Sequence, residues 1–160
     1  MVAVQIVYNM FRQRPERLFL DRAREAGVGV IARVPLASGL LSGKMTAGTT
    51  FEEDDHRRFN RQGEAFDVGE TFAGVPFEVG LEAVDELRPL VPEGASLAQL
   101  ALRWVLMQEG VSTVIPGARS AEQARANAGA AALAPLPPEV LARVREVYEA
   151  RIAPHVHQRW

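Results

Sequence analysis

The sequence predicts an α/β fold built on a parallel β-sheet. Three short runs of β-forming residues, near Val2, Val28 and Val111, are separated by segments with helical periodicity. A strand, a helix and a second strand in succession form a βαβ unit, in which the two strands run parallel. Such units build both barrels and doubly wound sheets, so the pattern predicts part of one or the other.

Length and composition restrict the possible classes of protein. The 160 residues suit one domain, and 48% hydrophobic with 24% charged residues is typical of a globular protein. The net charge of −2 predicts no nucleic-acid partner and no membrane partner. The absence of cysteine excludes a disulfide scaffold and thiolate–zinc chemistry, and no metal site is predicted. No apolar run has transmembrane length and no signal peptide is visible, so we expect a cytoplasmic protein.

The first predicted strand runs from Met1 to Asn9 and contains a polar residue, Gln5. A glutamine inside a buried strand needs hydrogen-bond partners. Its amide therefore either serves a neighbouring backbone or points at a ligand. A strand that begins immediately after Met1 also suggests that an N-terminal portion is missing.

The next elements are a helix, a strand and a loop rich in small residues. We predict a helix from Pro15 to Ala26, ended by Gly27, and then a buried strand from Val28 to Val34 interrupted by Arg33. The loop from Pro35 to Lys44 allows a ligand close to the backbone, and loops after parallel strands are where α/β folds bind ligands. The alternative is a flexible surface loop with a solvated lysine.

The segment from Thr46 to Pro76 is poor in aliphatic residues and contains four glycines. A long loop without regular structure inside a compact domain is usually functional or disordered. Its phenylalanines, Phe51, Phe59, Phe66 and Phe72, argue against a solvated linker. We predict a lid over a site, with its mixed charges exposed to solvent.

Besides a helix that begins at Ser120, three helices are predicted in the second half of the chain. Phe77 to about Arg88 is amphipathic, Ser96 and Gln99 form a capping box for a helix that ends near Gln108, and Pro137-Pro138 begins the last helix. We expect Trp160 at the end of the chain to dock on the body, because an indole ring is costly to leave in water.

A candidate phosphate site lies between Val111 and Asn127. A β-branched run predicts a buried strand from Val111 to Ile115, and Pro116-Gly117 ends it. Ser120 is then a helix N-cap candidate with Gln123 at capping-box spacing. A helix N-terminus attracts anions, and Arg119 adds a planar cation suited to a nucleotide phosphate. The alternative is that Gln123 only caps its own helix.

Four motifs together resemble the aldo-keto reductase family. They are V-Q-I-V-Y-N at Val4, V-I-A-R-V-P-L-A-S-G-L-L-S-G-K at Val30, L-A-Q-L-A-L-R-W at Leu97 and I-P-G-A-R-S-A-E-Q-A-R-A-N at Ile115. The resemblance implies that residues 1–160 form the C-terminal part of a (β/α)8 TIM barrel, strands 6–8 with their helices, with residues 46–76 as a lid-like loop within it.

The resemblance also implies a cofactor, NADP, and its contacts. Gln5 matches a glutamine that binds the nicotinamide carboxamide. Position 33 holds an aromatic residue in the family that stacks on the nicotinamide, and here a flat guanidinium takes its place. The loop that faces the pyrophosphate is matched by Leu36, Ala37 and Ser38, and the cations that contact the cofactor are matched by Lys44 and Arg58. The adenosine end is matched by Gly117, Arg119, Gln123 and Asn127, with Arg119 near the 2′-phosphate.

The activity that the resemblance implies is NADP-dependent reduction of an aldehyde or ketone, a small-molecule carbonyl substrate. The family's catalytic Asp, Tyr, Lys and His lie on earlier strands, and neither Tyr8 nor Tyr148 matches the proton donor. We therefore expect a fragment that carries cofactor-binding residues and no catalytic ones, and that either pairs with a missing N-terminal half-barrel or self-associates. The alternatives are a non-catalytic nucleotide-binding or interaction module and one half of a split enzyme.

Overall fold

The computed structural model describes residues 2–159 and contains a three-stranded parallel sheet. Strand β1 is Ala3–Val7, β2 is Gly29–Arg33 and β3 is Val111–Ile115, in the order β1-β2-β3. The predicted parallel sheet is therefore confirmed, with β2 at its centre. The expected docking of Trp160 lies outside the described residues.

Helices connect and cover these strands. Their bounds are α1 Pro15–Leu18, α2 Leu20–Glu25, α3 His56–Phe59, α4 Phe77–Leu87, α5 Leu97–Leu106, α6 Ala121–Gly129, α7 Pro138–Val147 and α8 Ala153–Val156. Single turns of 3-10 helix lie at Ala37–Ser42, Val68–Glu70, Phe72–Gly74, Arg88–Leu90, Ala130–Ala132 and His157–Arg159, and a π-helical turn at Tyr148–Ile152 joins α7 to α8. Within residues 2–159 no helix is long and apolar enough to cross a membrane.

The local signals at helix ends act as predicted. Gly27 has φ +65°, and the N–H of Val28 donates to the carbonyl of Ala23 at 2.8 Å, which closes the end of α2. Ser96 and Gln99 form the reciprocal capping box at the start of α5. A difference lies at Phe19, where the predicted helix from Pro15 to Ala26 divides into α1 and α2.

Among residues 2–159, helices cover one face of the sheet and leave the other open. Val30 and Ala32 of β2 are completely buried, whereas the alternate residues Ile31 and Arg33 are half-exposed. Because paired residues in a parallel register share a face, Gln5, opposite Ile31, lies on that same uncovered face.

The predictions of buried strands at β1 and β3 are wrong. The side chain of Gln5 is exposed, and Ile115 is 50% exposed. The cause is the one-sided covering, together with the position of β1 and β3 at the two edges of the described sheet. Because Gln5 is exposed, its side-chain amide does not require hydrogen-bond partners within the protein.

The apolar core lies between the covered face and the helices. Tyr8 packs on Trp104 of α5 with ring centroids 5.3 Å apart. The hydroxyl of Tyr8 donates to Glu16 at 2.7 Å, and Glu16 accepts from Arg145 of α7 at 2.6 Å. Burial is the larger cause that raises the pKa of Tyr8, and the negative charge of Glu16 raises it further. This network joins the end of β1 to helices from both halves of the chain.

The segment from Thr46 to Pro76 is packed against the body. Phe72 and Ala73 are buried, and the rings of Phe51, Phe72 and Phe77 form a cluster with centroids 5.0–6.0 Å apart. The buried Asn60 side chain accepts from two backbone N–H groups, those of Ala65 and Phe66. The segment therefore has its own folded structure, and its movement as a lid stays a prediction.

The open edges of β1 and β3 lead to the first prediction. Each edge presents unpaired backbone groups, and Val2 and Ile115 add exposed apolar surface. We expect the chain to run above its 17.5 kDa monomer mass in size-exclusion chromatography with light scattering. Ile115→Lys should shift it towards the monomer, since a charge on an edge strand opposes pairing.

The matched control for this experiment is Ala142→Lys, which adds the same charge at an exposed position of α7. It should leave the mass distribution unchanged. A compact wild-type monomer with strongly protected amides in both edge strands would contradict the prediction.

Candidate functional site

A cleft of about 360 Å³ lies at the carboxyl ends of β2 and β3. It combines three parts of the chain: the loop after β2, the start of α3 and the loop after β3. The lining residues are Ser38, Asp54, Asp55, His56, Arg57, Phe59 and Arg119. Loops at the carboxyl ends of parallel strands are the usual ligand sites of α/β folds.

The loop between β3 and α6 is shaped by the residues predicted to bind the adenosine end. The Ser120 hydroxyl accepts from the N–H of Gln123 at 3.2 Å, which confirms the N-cap. The Gln123 side chain accepts from the N–H of Arg119 at 2.8 Å, and the Asn127 amide donates to the carbonyl of Gly117 at 2.9 Å. Both side chains hold the loop in place, and their contact with a ligand stays a prediction.

Arg119 is the exposed cation of this cleft. Among the residues that the structure describes, its guanidinium forms no ion pair, whereas Arg57 pairs with Asp55 and Arg58 with Glu53. A permanently charged fork without a carboxylate partner is available to an anion. The loop that carries it is held by the contacts of Gln123 and Asn127 with its backbone, so the backbone position of Arg119 is defined.

The loop after β2 holds an unusual concentration of backbone strain. Val34, Ala37 and Ser38 have φ between +48° and +54°, and across from them Phe72 and Ala73 have φ of +51° and +58°. Residues with side chains rarely adopt these angles, and each such residue costs on the order of 1–3 kcal/mol. Strain of this kind persists only where the surroundings fix it, and it is concentrated at functional sites.

Hydrogen bonds join the two strained loops. The Ser38 hydroxyl donates to the carbonyl of Glu70 at 3.1 Å and accepts from the N–H of Phe72 at 3.1 Å. Ala37 is buried, and Leu36 packs against the core, so these two predicted contacts can offer a ligand mainly their backbone. Lys44 is exposed and does not line the cleft.

Arg33 forms a two-pronged ion pair with Glu70. Both guanidinium-to-carboxylate hydrogen bonds measure 2.5 Å, and both side chains are 34% exposed. The hydrogen bonds to Glu70 raise the pKa of Arg33, and those from Arg33 lower the pKa of Glu70, so both stay charged at neutral pH. Arg33 is therefore paired with the carboxylate of Glu70, a partner that was not predicted from the sequence.

The second ion pair at the cleft is Asp55 with Arg57. The Asp55 carboxylate accepts from the backbone N–H of Arg57 at 2.9 Å, as the N-cap of α3, and from the guanidinium at 2.5–3.1 Å. The hydrogen bonds from the Arg57 side chain lower the pKa of Asp55 from 3.8 to about 2. The prediction that the mixed charges of this segment are solvated is therefore wrong for Asp55, whose side chain is 18% exposed.

A signal for Glu70 is present in the sequence but incomplete. An arginine inside a strand of β-forming residues indicates a counter-ion, because burying a cation without a partner is costly. The sequence does not show which acidic residue supplies it, since Glu70 lies 37 positions from Arg33.

Neither tyrosine lines the cleft. Tyr8 is completely buried against Trp104 and Glu16, and Tyr148 is 4% exposed with its hydroxyl 2.9 Å from Nδ1 of His157. Burial raises the pKa of Tyr148 as well. A phenol that donates a proton to a substrate has to be accessible from the site. Among the described residues, the lining of the cleft thus offers the unpaired guanidinium of Arg119 and includes no phenol.

A parallel sheet with helices packed on it and a cleft at the carboxyl ends of its strands is the architecture of an α/β fold. Residues 1–149 match the Aldo/keto reductase family, and the chain belongs to it. The resemblance found in the sequence is thereby confirmed. Aldo-keto reductases are oxidoreductases with a TIM-barrel fold and a nicotinamide cofactor.

Individual relatives agree with the family. The chain is 32% identical over 158 residues to a probable voltage-gated potassium channel subunit beta of Arabidopsis thaliana, covering 94% of this chain and 44% of that protein. It is 32% identical over 151 residues to the aldo-keto reductase str7 of Strobilurus tenacellus, covering 92% and 42%. The structure superposes on the glycerol dehydrogenase AKR11B4 of Gluconobacter oxydans with a TM-score of 0.73 and 30% identity, covering 96% and 43%. The chain thus spans less than half the length of these relatives.

The Asp55–Arg57 pair gives a prediction about pH. Asp55 has a lowered pKa in the folded chain, so its stabilising contribution is complete above about pH 4 and is lost as the pH falls towards 2. Asp55→Asn should reduce the free energy of unfolding at pH 6, and the difference from the wild type should shrink between pH 4 and pH 2.

Urea unfolding at a series of pH values measures this difference. Asp54→Asn is the matched control, because Asp54 is adjacent, exposed and lines the same cleft. An Asp54→Asn difference with the same size and pH dependence would show that the Asp55 ion pair contributes nothing specific.

Proposed function

We propose that this chain supplies the cofactor-binding part of an NADP-dependent aldo-keto reductase. The observation that carries the proposal is the unpaired guanidinium of Arg119 in the same cleft as Ser38, at the carboxyl ends of two adjacent parallel strands. In (β/α)8 barrels the loops after the last two strands commonly form the phosphate site. A dinucleotide with an additional phosphate fits a site with a free arginine.

The residues of the structure divide among the parts of NADP. Arg119 would hold the 2′-phosphate, on the loop kept in shape by Gly117, Gln123 and Asn127. The backbone of the loop at Leu36, Ala37 and Ser38 would face the pyrophosphate. Gln5 and Arg33 share the uncovered face of the sheet, where they would meet the nicotinamide.

Two further predicted cations lie outside the cleft lining. Arg58 donates to Glu53 at 3.1 Å, in a surface pair that is weak enough to be exchanged for a phosphate contact. Lys44 is exposed and free to turn towards an anion. The acidic lining does not oppose this assignment strongly, because Asp55 is neutralised by Arg57 and Asp54 is solvated.

The cofactor supplies the hydride that reduces a carbonyl carbon of an aldehyde or ketone. In this chain Arg119 and the two loops would bind and orient it. The proton for the carbonyl oxygen has to come from a group other than Tyr8 and Tyr148, since both are buried and hydrogen-bonded. On this proposal, cofactor binding and proton donation rest on different groups.

The uncovered face of the sheet supports a proposal about the partner. A parallel sheet is normally covered on both faces, and a barrel has no edges. Further strands of a reductase barrel, in the same or a separate polypeptide, would cover Gln5, Ile31 and Ile115 and would complete the site. Self-association at the same edges is the competing arrangement.

A second candidate is a nucleotide-binding or interaction module that does not catalyse. The burial of both tyrosines favours it, and the resemblance to a probable channel β subunit is compatible with it. The two candidates share the cofactor site and differ in turnover.

We predict that the chain prefers NADP(H) to NAD(H). A charge-assisted hydrogen bond from Arg119 to the 2′-phosphate contributes roughly 1.5–3 kcal/mol, or about 10- to 150-fold in affinity. Calorimetric titration of the full chain with each cofactor measures the preference, and Arg119→Ala should remove most of it.

Arg125→Ala is the control for this variant. It removes the same charge from the exposed surface of α6, the helix that follows the Arg119 loop, outside the lining of the cleft, and should keep the preference. Equal affinities for the two cofactors, or an Arg119→Ala variant with an unchanged preference, would contradict the assignment.

We also predict that the purified chain alone does not reduce aldehydes or ketones with NADPH, because no described tyrosine is accessible from the cleft. The assay follows NADPH absorbance with a panel of small carbonyl compounds. Turnover that Arg119→Ala abolishes would show that the chain contains a proton donor of its own.

A further inference from the structure

The Arg33–Glu70 pair lies where the proposed function places the nicotinamide. Arg33 ends the central strand β2 and shares the uncovered sheet face with Gln5. Glu70 comes from the segment 46–76, so that segment contributes directly to this position.

The geometry of the pair makes it flat. A guanidinium and a carboxylate are both planar, and two parallel hydrogen bonds of 2.5 Å hold them in one plane. The Glu70 backbone is fixed in addition, because its carbonyl accepts from the Ser38 hydroxyl. A planar group of two linked side chains has roughly the area of an aromatic ring system.

The pair is also neutral as a whole. The Glu70 carboxylate compensates the Arg33 charge, and Arg12 and His56 act on it from further away. Without Glu70, a permanent positive charge would remain at the end of β2, since arginine does not lose its proton in proteins.

We propose that Glu70 is a positioning residue for the nicotinamide end of the cofactor. It holds the Arg33 guanidinium flat and cancels its charge, so that the pair replaces an aromatic side chain as a stacking surface. This inference rests on the proposed function, because it requires the nicotinamide to lie over position 33.

The charge of the surface distinguishes this role from a purely structural one. The oxidised nicotinamide ring is a cation, whereas the reduced ring is neutral. An uncompensated Arg33 would therefore repel the oxidised form selectively. A simple link between segment 46–76 and β2 would, when broken, weaken both forms alike.

The experiment compares dissociation constants for NADP⁺ and NADPH on the full chain by calorimetry. Glu70→Gln should raise the ratio of the NADP⁺ constant to the NADPH constant by at least about fivefold, the repulsion of two unit charges roughly 4 Å apart when screened as in water. Arg33→Phe leaves the Glu70 carboxylate uncompensated and should lower the same ratio. The double variant Arg33→Phe with Glu70→Gln is neutral again and should restore the wild-type ratio.

Controls separate the possible failures. Glu52→Gln removes an exposed carboxylate of the same segment and should leave the ratio unchanged. An equal loss of both forms in Glu70→Gln, or no change in it, would overturn the inference while Arg119→Ala still tests the proposed function. Wild-type chain that binds neither form would overturn both. If circular dichroism shows that Glu70→Gln does not fold, the test rests on Arg33→Phe. A ratio that is not lowered in Arg33→Phe would then refute the role of Glu70.

Discussion

The structure depends on a parallel sheet that is covered on one face only. Val30 and Ala32 carry the contact with the helices, and the network of Tyr8, Glu16 and Arg145 fixes the end of β1 against α7. Alternation along each strand then determines what the other face presents, namely Gln5, Arg33 and Ile115. The same constraint thus creates both the exposed apolar edges and the open face on which the proposed nicotinamide site lies.

The cleft depends on how the segment 46–76 is held against the loop after β2. Residues with side chains take positive φ on both sides of this contact, and the Ser38 hydroxyl and the Glu70 carboxylate join them. Each of these bonds is modest alone, but together with buried Ala37 and Phe72 they offset the backbone strain. The backbone near the proposed pyrophosphate site is consequently fixed before any ligand arrives. Such preorganisation lowers the ordering cost of binding.

Local and regional features of the sequence were sufficient to predict much of the fold. Ser96 with Gln99 and the glycine at Gly27 act within a few residues, so their effects could be derived directly. Parallel pairing followed from the order of strand and helix. Burial of β1 and β3 was predicted wrongly, because composition does not show that one face of the sheet is left uncovered.

Less of the candidate site than of the fold could be predicted from the sequence. Arg119 and Ser38 were found through motifs at strand ends, and the structure places both in one cleft. Glu70 and Asp55 were hidden in a stretch of mixed charges that is ordinarily solvated, and only the fold brings Glu70 to Arg33. An arginine in place of an aromatic residue would by itself be an unfavourable change beside a cationic ring. With Glu70 held against it the position is flat and neutral, so the two residues have to be considered as one unit. On the proposed function, position 33 requires a planar, uncharged surface, and the ion pair provides it as an aromatic ring would.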